Sequence, residues 1–408
     1  MVLAQSLPEE DVRLIAVRGG LGAVPGVRLA GVHAGIKARK RDLALVVFDD
    51  AQVCASVVTT NEIKAAPVVV SAEHLAKSGT AMRAIVCNSG CANACTGERG
   101  ERDVRATARQ AATLLGFAPS QIVVASTGVI GVPLPMDRVQ RGVERAHDQL
   151  DGGGKAAHDA AEAIMTTDRV PKLAAYSFHH ENRKYVIGGM AKGSGMIAPN
   201  MATMLAFLAT DLPMSQSALA RALTEGADES FNMISVDGCM STNDAAYAFA
   251  PSSMDEPPPA FARALRLVCL ELAQAMVADG EGATKRLTVH VTGAKDVAQA
   301  RTIGRAIINS NLVKTALYGE DPNWGRIIAA AGSPGVGLDP EKWSLILNDK
   351  TWVEVGAIEV LSEAEAFNEL EETEIVVELR LGIGNARATA WGCDLSKDYV
   401  RINASYRT

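Results

Sequence analysis

The peptide bond between Ala202 and Thr203 is the first place in this sequence where chemistry is expected. It follows KGSGMIAPNM, in which a Gly-Ser-Gly turn and a Pro-Asn pair precede a small residue and a hydroxyl. A threonine with a free α-amine can act as a nucleophile, because that amine has a pKa of about 8 and serves as the general base. The pattern favours a chain that cleaves itself before Thr203. The alternative is an ordinary β-branched strand residue.

A second candidate lies at the end of the predicted strand QIVVAST, where Gly128 follows Thr127. The Thr127 hydroxyl and the Gly128 N–H are donors of the kind that stabilise an oxyanion. The motif is weak by itself, because Thr-Gly pairs also form ordinary turns after strands.

The stretch GSGMIA also matches the dinucleotide-binding pattern G-x-G-x-x-A. That pattern needs a helix to begin at the third small residue, so that its N-terminus meets a pyrophosphate. Here Pro199 and Asn200 follow at once, and strand-like residues come next. A nucleotide-binding oxidoreductase is therefore disfavoured. We expect the glycines to shape a turn that brings the backbone close to another group.

Cys87, Cys91 and Cys95 have a spacing that would place them on one face of a helix, where they could bind a metal. They fall instead where a predicted strand enters a turn rich in glycine and asparagine, with no histidine close in sequence. We therefore expect small buried thiols and no metal site.

The elements that must position these residues can be read from the hydrophobic pattern. Short β-branched runs alternate with alanine-rich segments whose apolar residues recur every three or four positions, which predicts α/β layers. The longest predicted helix covers Pro259 to Asp279 and stops at Gly280. The predicted strands are DLALVVFD, RAIVCN, QIVVAST, KYVIGGMA, MLAFLAT, RLTVHVTG and TEIVVELRLG, and the predicted helices include VRATARQAATLLG, HDAAEAIMTT, SALARALTEGAD and AKDVAQARTIGRAIINS.

Polar clusters interrupt these elements at MTTD, SVDGCMSTND, DGEGATK and YGEDPNWGR. Each is either a set of satisfied turns and caps or a loop that helps to form a pocket for a charged small molecule. Sequence position alone leaves both interpretations open.

Composition excludes several classes of protein. The 408 residues are 48% hydrophobic and 21% charged, which is typical of a soluble enzyme with more than one compact unit. A net charge of -7 and an aromatic content of 4% disfavour nucleic-acid binding. The sequence has no signal-like start and no apolar run near the roughly 20 residues of a membrane span. We expect a cytoplasmic protein without membrane partners.

Five long segments resemble the ornithine acetyltransferases, also called glutamate N-acetyltransferases, which recycle acetyl groups in arginine biosynthesis. The similarity extends from LAGVHAGIKARKRDLALVV near the start to the last residue. Two positions depart from the family pattern, with Cys91 where asparagine is usual and Cys239 where aspartate is usual. The five segments are KGSGMIAPNMATML, ASTGVIGVPLPMD, VKTALYGEDPNWGRI, DGEGATK and WGCDLSKDYVRINASYRT.

The resemblance implies a layered α/β sandwich of the type shared with a self-processing aminopeptidase family. It implies cleavage into an α chain, residues 1–202, and a β chain, residues 203–408. The β chain would include a C-terminal α/β region from about residue 285 to 408. Two copies of each chain would form a heterotetramer.

The resemblance also implies a reaction. Thr203 would take the acetyl group from N2-acetyl-L-ornithine and pass it to L-glutamate, while Thr127 and Gly128 hold the oxyanion and no cofactor takes part. Lys192 offers a cation for a substrate carboxylate, and Glu281 offers an anion for the additional amine of ornithine. The implied substrate-binding residues are Thr166, Lys192, Thr203, Glu281, Asn403 and Thr408.

Two questions stay open from the sequence. Acetyl-CoA could serve as a second acetyl donor, which would add amino-acid N-acetyltransferase activity, and no motif decides this. The alternative function is a related self-processing amidase or aminopeptidase, in which water instead of glutamate accepts the acyl group.

Overall fold

The computed structural model describes residues 14–198, 204–254, 256–356 and 358–405. It confirms the predicted α/β layers, with two sheets among the described residues. The first sheet consists of β1 (Ile15–Ala16), β2 (Val27–Val32), β3 (Leu43–Val58), β4 (Met82–Cys91), β5 (Ile122–Val129), β6 (Lys172–His180), β7 (Arg183–Lys192), β8 (Leu205–Thr210) and β9 (Ala245–Pro251). The second consists of β10 (Arg286–Ala294), β11 (Ser344–Leu347), β12 (Lys350–Glu354), β13 (Ile358–Glu359), β14 (Glu374–Arg380) and β15 (Ala386–Cys393).

The helices are α1 (Ala66–Ser78), α2 (Gly97–Leu115), α3 (Met136–Asp148), α4 (Gly153–Ile164), α5 (Gln216–Glu229), α6 (Pro259–Ala278), α7 (Val297–Asn309), α8 (Asn311–Tyr318), α9 (Trp324–Gly332), α10 (Glu363–Leu370) and α11 (Lys397–Ser405). The segment HDAAEAIMTT was predicted to be helical throughout, which is wrong at its end. Met165 is already extended, with ψ of 152°. The Thr166 N–H donates to the Asp168 carboxylate at 3.0 Å, which places Thr166 in a turn.

The first sheet has the strand order β1-β6-β7-β8-β9-β3-β4-β5, and β2 pairs with β3. Strand β8 lies in its interior and is buried on both faces. Ala206 and Leu208 pack in the core that includes α5 and α6, while Leu205 and Phe207 pack in the core that includes α4. Burial on both faces explains why β8 is an unbroken apolar run without alternation.

The proposed scission site lies in the connection between two adjacent strands. β7 and β8 pair antiparallel, and Lys192 at the end of β7 lies opposite Leu205 at the start of β8. β8 also pairs in parallel with β9, which begins at Ala245. The connection between β7 and β8 is therefore held at both ends by the interior of the first sheet.

The second sheet is covered differently. In β10, Leu287, Val289 and Val291 are buried in the core that also contains Ile303 and Ile307 of α7, while the alternate residues are partly exposed. This alternation is typical of a sheet with one covered face. α6 leads into β10, and β15 leads into α11. Among the described helices, none is both long and apolar enough to cross a membrane.

Candidate active site

A cavity of about 130 Å³ lies where the ends of β5, β7 and α6 meet α11. It is lined by six residues that the sequence singled out: Thr127, Gly128, Thr166, Lys192, Glu281 and Asn403. Ala202, Thr203 and Thr408, which were also predicted site residues, lie outside the described residues. The structure therefore brings together every predicted site residue that it describes.

The candidate oxyanion donors lie on tightly packed backbone. Gly128 pairs with Gly90 of the parallel strand β4 and has φ of +128°, in a region that favours glycine. A Cβ atom at Gly128 would lie 2.4 Å from the carbonyl carbon of Gly90, so no side chain fits there. The Asn243 amide donates to the Ser126 carbonyl oxygen at 2.8 Å, just before Thr127. This segment therefore has little freedom to move.

Lys192 lines the cavity, and together with the neighbouring Asp168 and Lys172, which are not part of the lining, it is here called the basic wall. Both lysines are 2% exposed, and Asp168 is 1% exposed. Asp168 Oδ1 accepts hydrogen bonds from Lys172 Nζ and Gly193 N, each at 2.7 Å. Burial acts to raise the pKa of Asp168, but the charges of Lys192 and Lys172 outweigh it and hold that pKa below its usual range. Asp168 is thus an anion that supports the buried Lys192 cation.

Asp244 is a second buried carboxyl near Lys192, and sequence reasoning did not single it out. Its Oδ1 accepts the Met204 N–H at 2.9 Å, and its Oδ2 has no hydrogen-bond partner in the part of the chain that the structure describes. Burial raises the pKa of Asp244 well above its usual range, although the Met204 N–H and the Lys192 charge oppose this. Asp244 therefore binds the first described residue after the proposed scission site.

A second part of the cavity lining, here called the acidic wall, consists of Glu281, Asp237, Tyr399 and Asn403. Glu281 follows α6 in a turn, and its N–H donates to the Ser194 carbonyl oxygen at 2.7 Å. Its Oε2 accepts a hydrogen bond from Asn403 Nδ2 at 2.8 Å. A Cβ atom at Gly195 would lie 2.4 Å from Glu281 Cδ, so the second glycine of the Gly-Ser-Gly turn leaves room for this carboxylate.

Asp237 and Tyr399 line the cavity but were missed as individual site residues. Burial raises the pKa of Asp237, and the nearby Glu281 charge adds to this effect. The signal for Asp237 in the sequence is the polar cluster SVDGCMSTND, which fits both an ordinary turn and a loop that forms a pocket. That cluster lines the cavity, as do parts of MTTD and DGEGATK. No described residue of YGEDPNWGR does so, and Glu320 of that cluster binds Lys285 at 2.9 Å.

Two further predictions can be compared with the structure. No helix begins within the described residues 193–198, so GSGMIA lacks the helix that a dinucleotide site requires. Cys87 and Cys91 are buried as predicted, but the prediction of a buried thiol is wrong for Cys95, which is exposed. Cys95 has φ of +56° and lies in the short connection between β4 and α2.

Comparison with known proteins shows the family of this chain. The model of the ArgJ family matches residues 28–408. This chain belongs to the ArgJ family. The resemblance to ornithine acetyltransferases inferred from the sequence is thereby confirmed, and an ArgJ chain is an acyltransferase of arginine biosynthesis.

Similar ArgJ proteins match along nearly their whole length. The "Arginine biosynthesis bifunctional protein ArgJ" of Symbiobacterium thermophilum is 49% identical over 401 residues, which cover 96% of this chain and 99% of that protein. The protein of the same description from Staphylococcus aureus is 43% identical and covers 97% of both chains. A solved structure of an ornithine acetyltransferase in complex with ornithine, from Mycobacterium tuberculosis, is 42% identical over 46% of this chain and 98% of that chain, with a TM-score of 0.43.

Proposed function

We propose that this ArgJ chain transfers the acetyl group of N2-acetyl-L-ornithine to L-glutamate through an ester on Thr203. The observation that carries the proposal is that one cavity is lined by a buried cation, Lys192, by a buried carboxylate, Glu281, and by the two candidate oxyanion donors. A donor amino acid with one carboxylate and one additional amine fits these charges. The description of the relatives as arginine biosynthesis proteins supports this choice.

The first step is cleavage of the chain at its own Thr203. The Thr203 hydroxyl attacks the Ala202 carbonyl carbon, the C–N bond breaks, and the α-amine of Thr203 takes up a proton. Water then hydrolyses the Ala202 ester and releases the hydroxyl. The products are a chain that ends in a carboxylate and a chain that begins with a free Thr203 amine.

The acetyl transfer proceeds by double displacement. The Thr203 amine takes the proton of the Thr203 hydroxyl, whose oxygen attacks the acetyl carbonyl of the donor. Thr127 and Gly128 stabilise the negative oxygen that forms. Ornithine leaves with the transferred proton, and the amine of glutamate then attacks the acetyl ester. Water must be excluded while the acetyl ester on Thr203 persists, because hydrolysis of this ester would release acetate.

Lys192 and Glu281 select the substrates by charge in this proposal. Lys192 binds the α-carboxylate that acetylornithine and glutamate share. Glu281 binds the side-chain amine that only ornithine has, and Thr166 and Asn403 supply hydrogen bonds nearby. The reaction needs no cofactor.

Acetyl-CoA is a second donor in this proposal, which makes N-acetylglutamate directly. The word "bifunctional" in the description of the relatives supports it. Measuring glutamate acetylation with acetylornithine and, separately, with acetyl-CoA tests each activity. The alternative, a self-processing amidase, would release acetate from acetylornithine at the same rate with and without glutamate.

We further propose that the active form is a heterotetramer of two α and two β chains in the cytoplasm, with small molecules as its only other partners. Size-exclusion chromatography with light scattering tests the assembly directly. A single α and a single β chain at micromolar concentration would contradict it.

Replacement of Thr203 tests the nucleophile. Thr203→Ala should remain one uncut chain without transfer activity, whereas Thr203→Ser should still be cut because it keeps a hydroxyl. Intact-mass spectrometry reads the cleavage. A wild-type protein that is active as a single chain of 42.9 kDa would overturn the mechanism.

Replacement of Thr127 tests the oxyanion role separately. Thr127→Ala should lower kcat by about 10² to 10³, the usual loss for one such donor, with a smaller change in KM. Steady-state kinetics on the cut enzyme measures both constants. A normal kcat with a raised KM would move Thr127 from transition-state stabilisation to substrate binding.

A further inference from the structure

Asp237 receives hydrogen bonds from two parts of the chain that meet at the cavity. Its Oδ2 accepts from Met196 N at 2.6 Å and from the Tyr399 hydroxyl at 3.3 Å. Its Oδ1 accepts from Ile197 N at 3.0 Å and from Cys239 N at 3.1 Å. One carboxylate therefore holds the segment 195–198, the C-terminal helix α11 and its own turn.

The segment 195–198 needs this support. Met196 has φ of +54°, a conformation that is uncommon for a residue with a side chain and costs free energy unless its surroundings hold it. Its N–H and the next N–H both donate to Asp237. On the other side, the Ile197 carbonyl oxygen accepts from Val236 N at 3.0 Å and from Ser235 Oγ at 3.1 Å. The chain that leads to the proposed scission site is thus fixed by the turn that contains Asp237.

The helix α11 is held just before its start by Ser396, whose hydroxyl donates to the Gly282 carbonyl oxygen at 2.6 Å, and further along by the same Asp237 carboxylate. No described residue of α11 is classed as buried, so apolar packing contributes little to its placement. Its polar contacts to the cavity come from Tyr399, which binds Asp237, and from Asn403, which binds Glu281. Tyr399 and Asn403 are four residues apart and lie on one face of the helix. A shift of Tyr399 would therefore move Asn403 away from Glu281.

We infer that Asp237 is a positioning residue that couples the segment before the scission site to the helix that completes the substrate cavity. The inference rests on the proposed function for the meaning of the scission site and the substrate. It assigns to Asp237 two separable effects, one on the rate of self-cleavage and one on substrate binding through Tyr399 and Asn403.

Three single variants separate these effects from loss of stability. Asp237→Asn keeps the shape but places an amide donor against backbone N–H donors. Tyr399→Phe removes only the contact to the helix. Asp211→Asn is the matched control, because Asp211 Oδ1 accepts the Val186 N–H at 2.7 Å at the far end of β8, outside the residues that line the cavity.

The readouts are the time course of cleavage by intact mass, and kcat and KM for acetylornithine with the cut enzyme. Asp237→Asn should slow cleavage at least about tenfold and raise KM, as expected when hydrogen bonds to a charged group are lost. Tyr399→Phe should be cut at the wild-type rate, with KM raised about three- to tenfold for one lost hydrogen bond. The control should match the wild type in both. In the Asp237→Asn background, Tyr399→Phe should raise KM no further.

Cleavage and KM at wild-type values in folded Asp237→Asn would overturn the inference, and so would additive effects of the two substitutions. If Asp237→Asn does not fold, Tyr399→Phe decides alone, and a wild-type KM overturns the coupling to α11. A wild-type protein that is neither cut nor active would refute the proposed function instead. In that case calorimetric titration of ornithine into uncut wild type and Tyr399→Phe still tests the helix contact, since equal affinities would overturn it.

Discussion

The basic and acidic walls of the cavity are built in different ways. Lys192 and Asp168 are 2% and 1% exposed, and Lys192 ends a strand in the interior of the first sheet. Glu281 is 8% exposed, and its partner Asn403 belongs to a helix without a buried residue in its described length. The core of the fold fixes one wall, whereas a terminal helix completes the other.

From this difference we expect the two walls to have different roles in substrate binding. In the proposed mechanism the basic wall binds the carboxylate that both substrates carry, so its rigidity would serve both halves of the reaction. In the same proposal the acidic wall binds the additional amine, which the donor has and the acceptor lacks. A wall that is held by a few polar contacts can be altered with less effect on the rest of the fold.

Among changes to the two walls, the largest effect is expected from Lys192→Met, which removes the cation of the basic wall. The apparent affinity for acetylornithine and for glutamate should each fall by up to about 150-fold, the upper value for a hydrogen bond to a charged group. KM for each substrate measures this. Lys314→Met is the matched control, because Lys314 is equally buried but binds the Cys393 carbonyl oxygen. A loss confined to one substrate would contradict the role of Lys192.

Glu281→Gln should have a smaller and unequal effect. We expect a loss of affinity for acetylornithine of about tenfold or somewhat more, with less effect on glutamate, because glutamate lacks the additional amine. Parallel KM measurements for both substrates test this. Glu378→Gln in β14 of the second sheet is a suitable control. Equal losses of affinity for the two substrates would mean that Glu281 shapes the cavity and does not bind the additional amine of ornithine.

Deletion of residues 404–408 should have a milder effect, because Asn403 remains but the end of α11 is lost. Self-cleavage should be retained, KM should rise a few-fold, and more acetate should form per acetylglutamate as water reaches the ester. Both products are measured from acetylornithine with and without glutamate. An unchanged product ratio would show that the terminal residues do not protect the ester.

The smallest effect is one of pH on stability. The pKa of Asp168 is depressed in the folded state, so its ionised form stabilises the fold above its unfolded pKa of about 3.9. This stabilisation is lost as the pH falls through the folded value. The Tm difference between wild type and Asp168→Asn should therefore be constant from pH 7 to pH 5 and shrink below about pH 4. A Tm difference that grows as the pH falls would contradict a depressed pKa of Asp168 in the folded state.

Much of this organisation follows from sequence patterns. Apolar runs correctly predicted β4, β5, β7, β8, β10 and β14 and the first half of β3, and the proline and glycine signals placed α6. They did not predict β6, β9 or β15. The end of α4 was missed because the turn at Thr166 depends on the Asp168 carboxylate, which is a side-chain contact without periodicity. Local pattern therefore predicts elements better than their ends.

The candidate site was predictable in part. Long motifs and family resemblance singled out Lys192 and Glu281. Asp237 was not found because its contacts reach Met196 over 41 positions and Tyr399 over 162 positions. Asp244 was not predicted as a site residue because an aspartate before a strand is an ordinary turn residue. Its significance comes from the Met204 N–H that it accepts, which only the pairing of β8 with β9 brings into reach.

The pairing of β7 with β8 has a consequence if the chain is cut as proposed. Scission between residues 202 and 203 leaves each new chain with one strand of a buried, hydrogen-bonded pair, so neither chain can separate without dismantling the first sheet. Unfolding then changes from a unimolecular to a multimolecular equilibrium, because the chains must find one another again to refold. The midpoint of thermal unfolding becomes dependent on protein concentration, as in an obligate oligomer. A single hydrolysed peptide bond would thus make the stability of the whole fold depend on how far the protein is diluted.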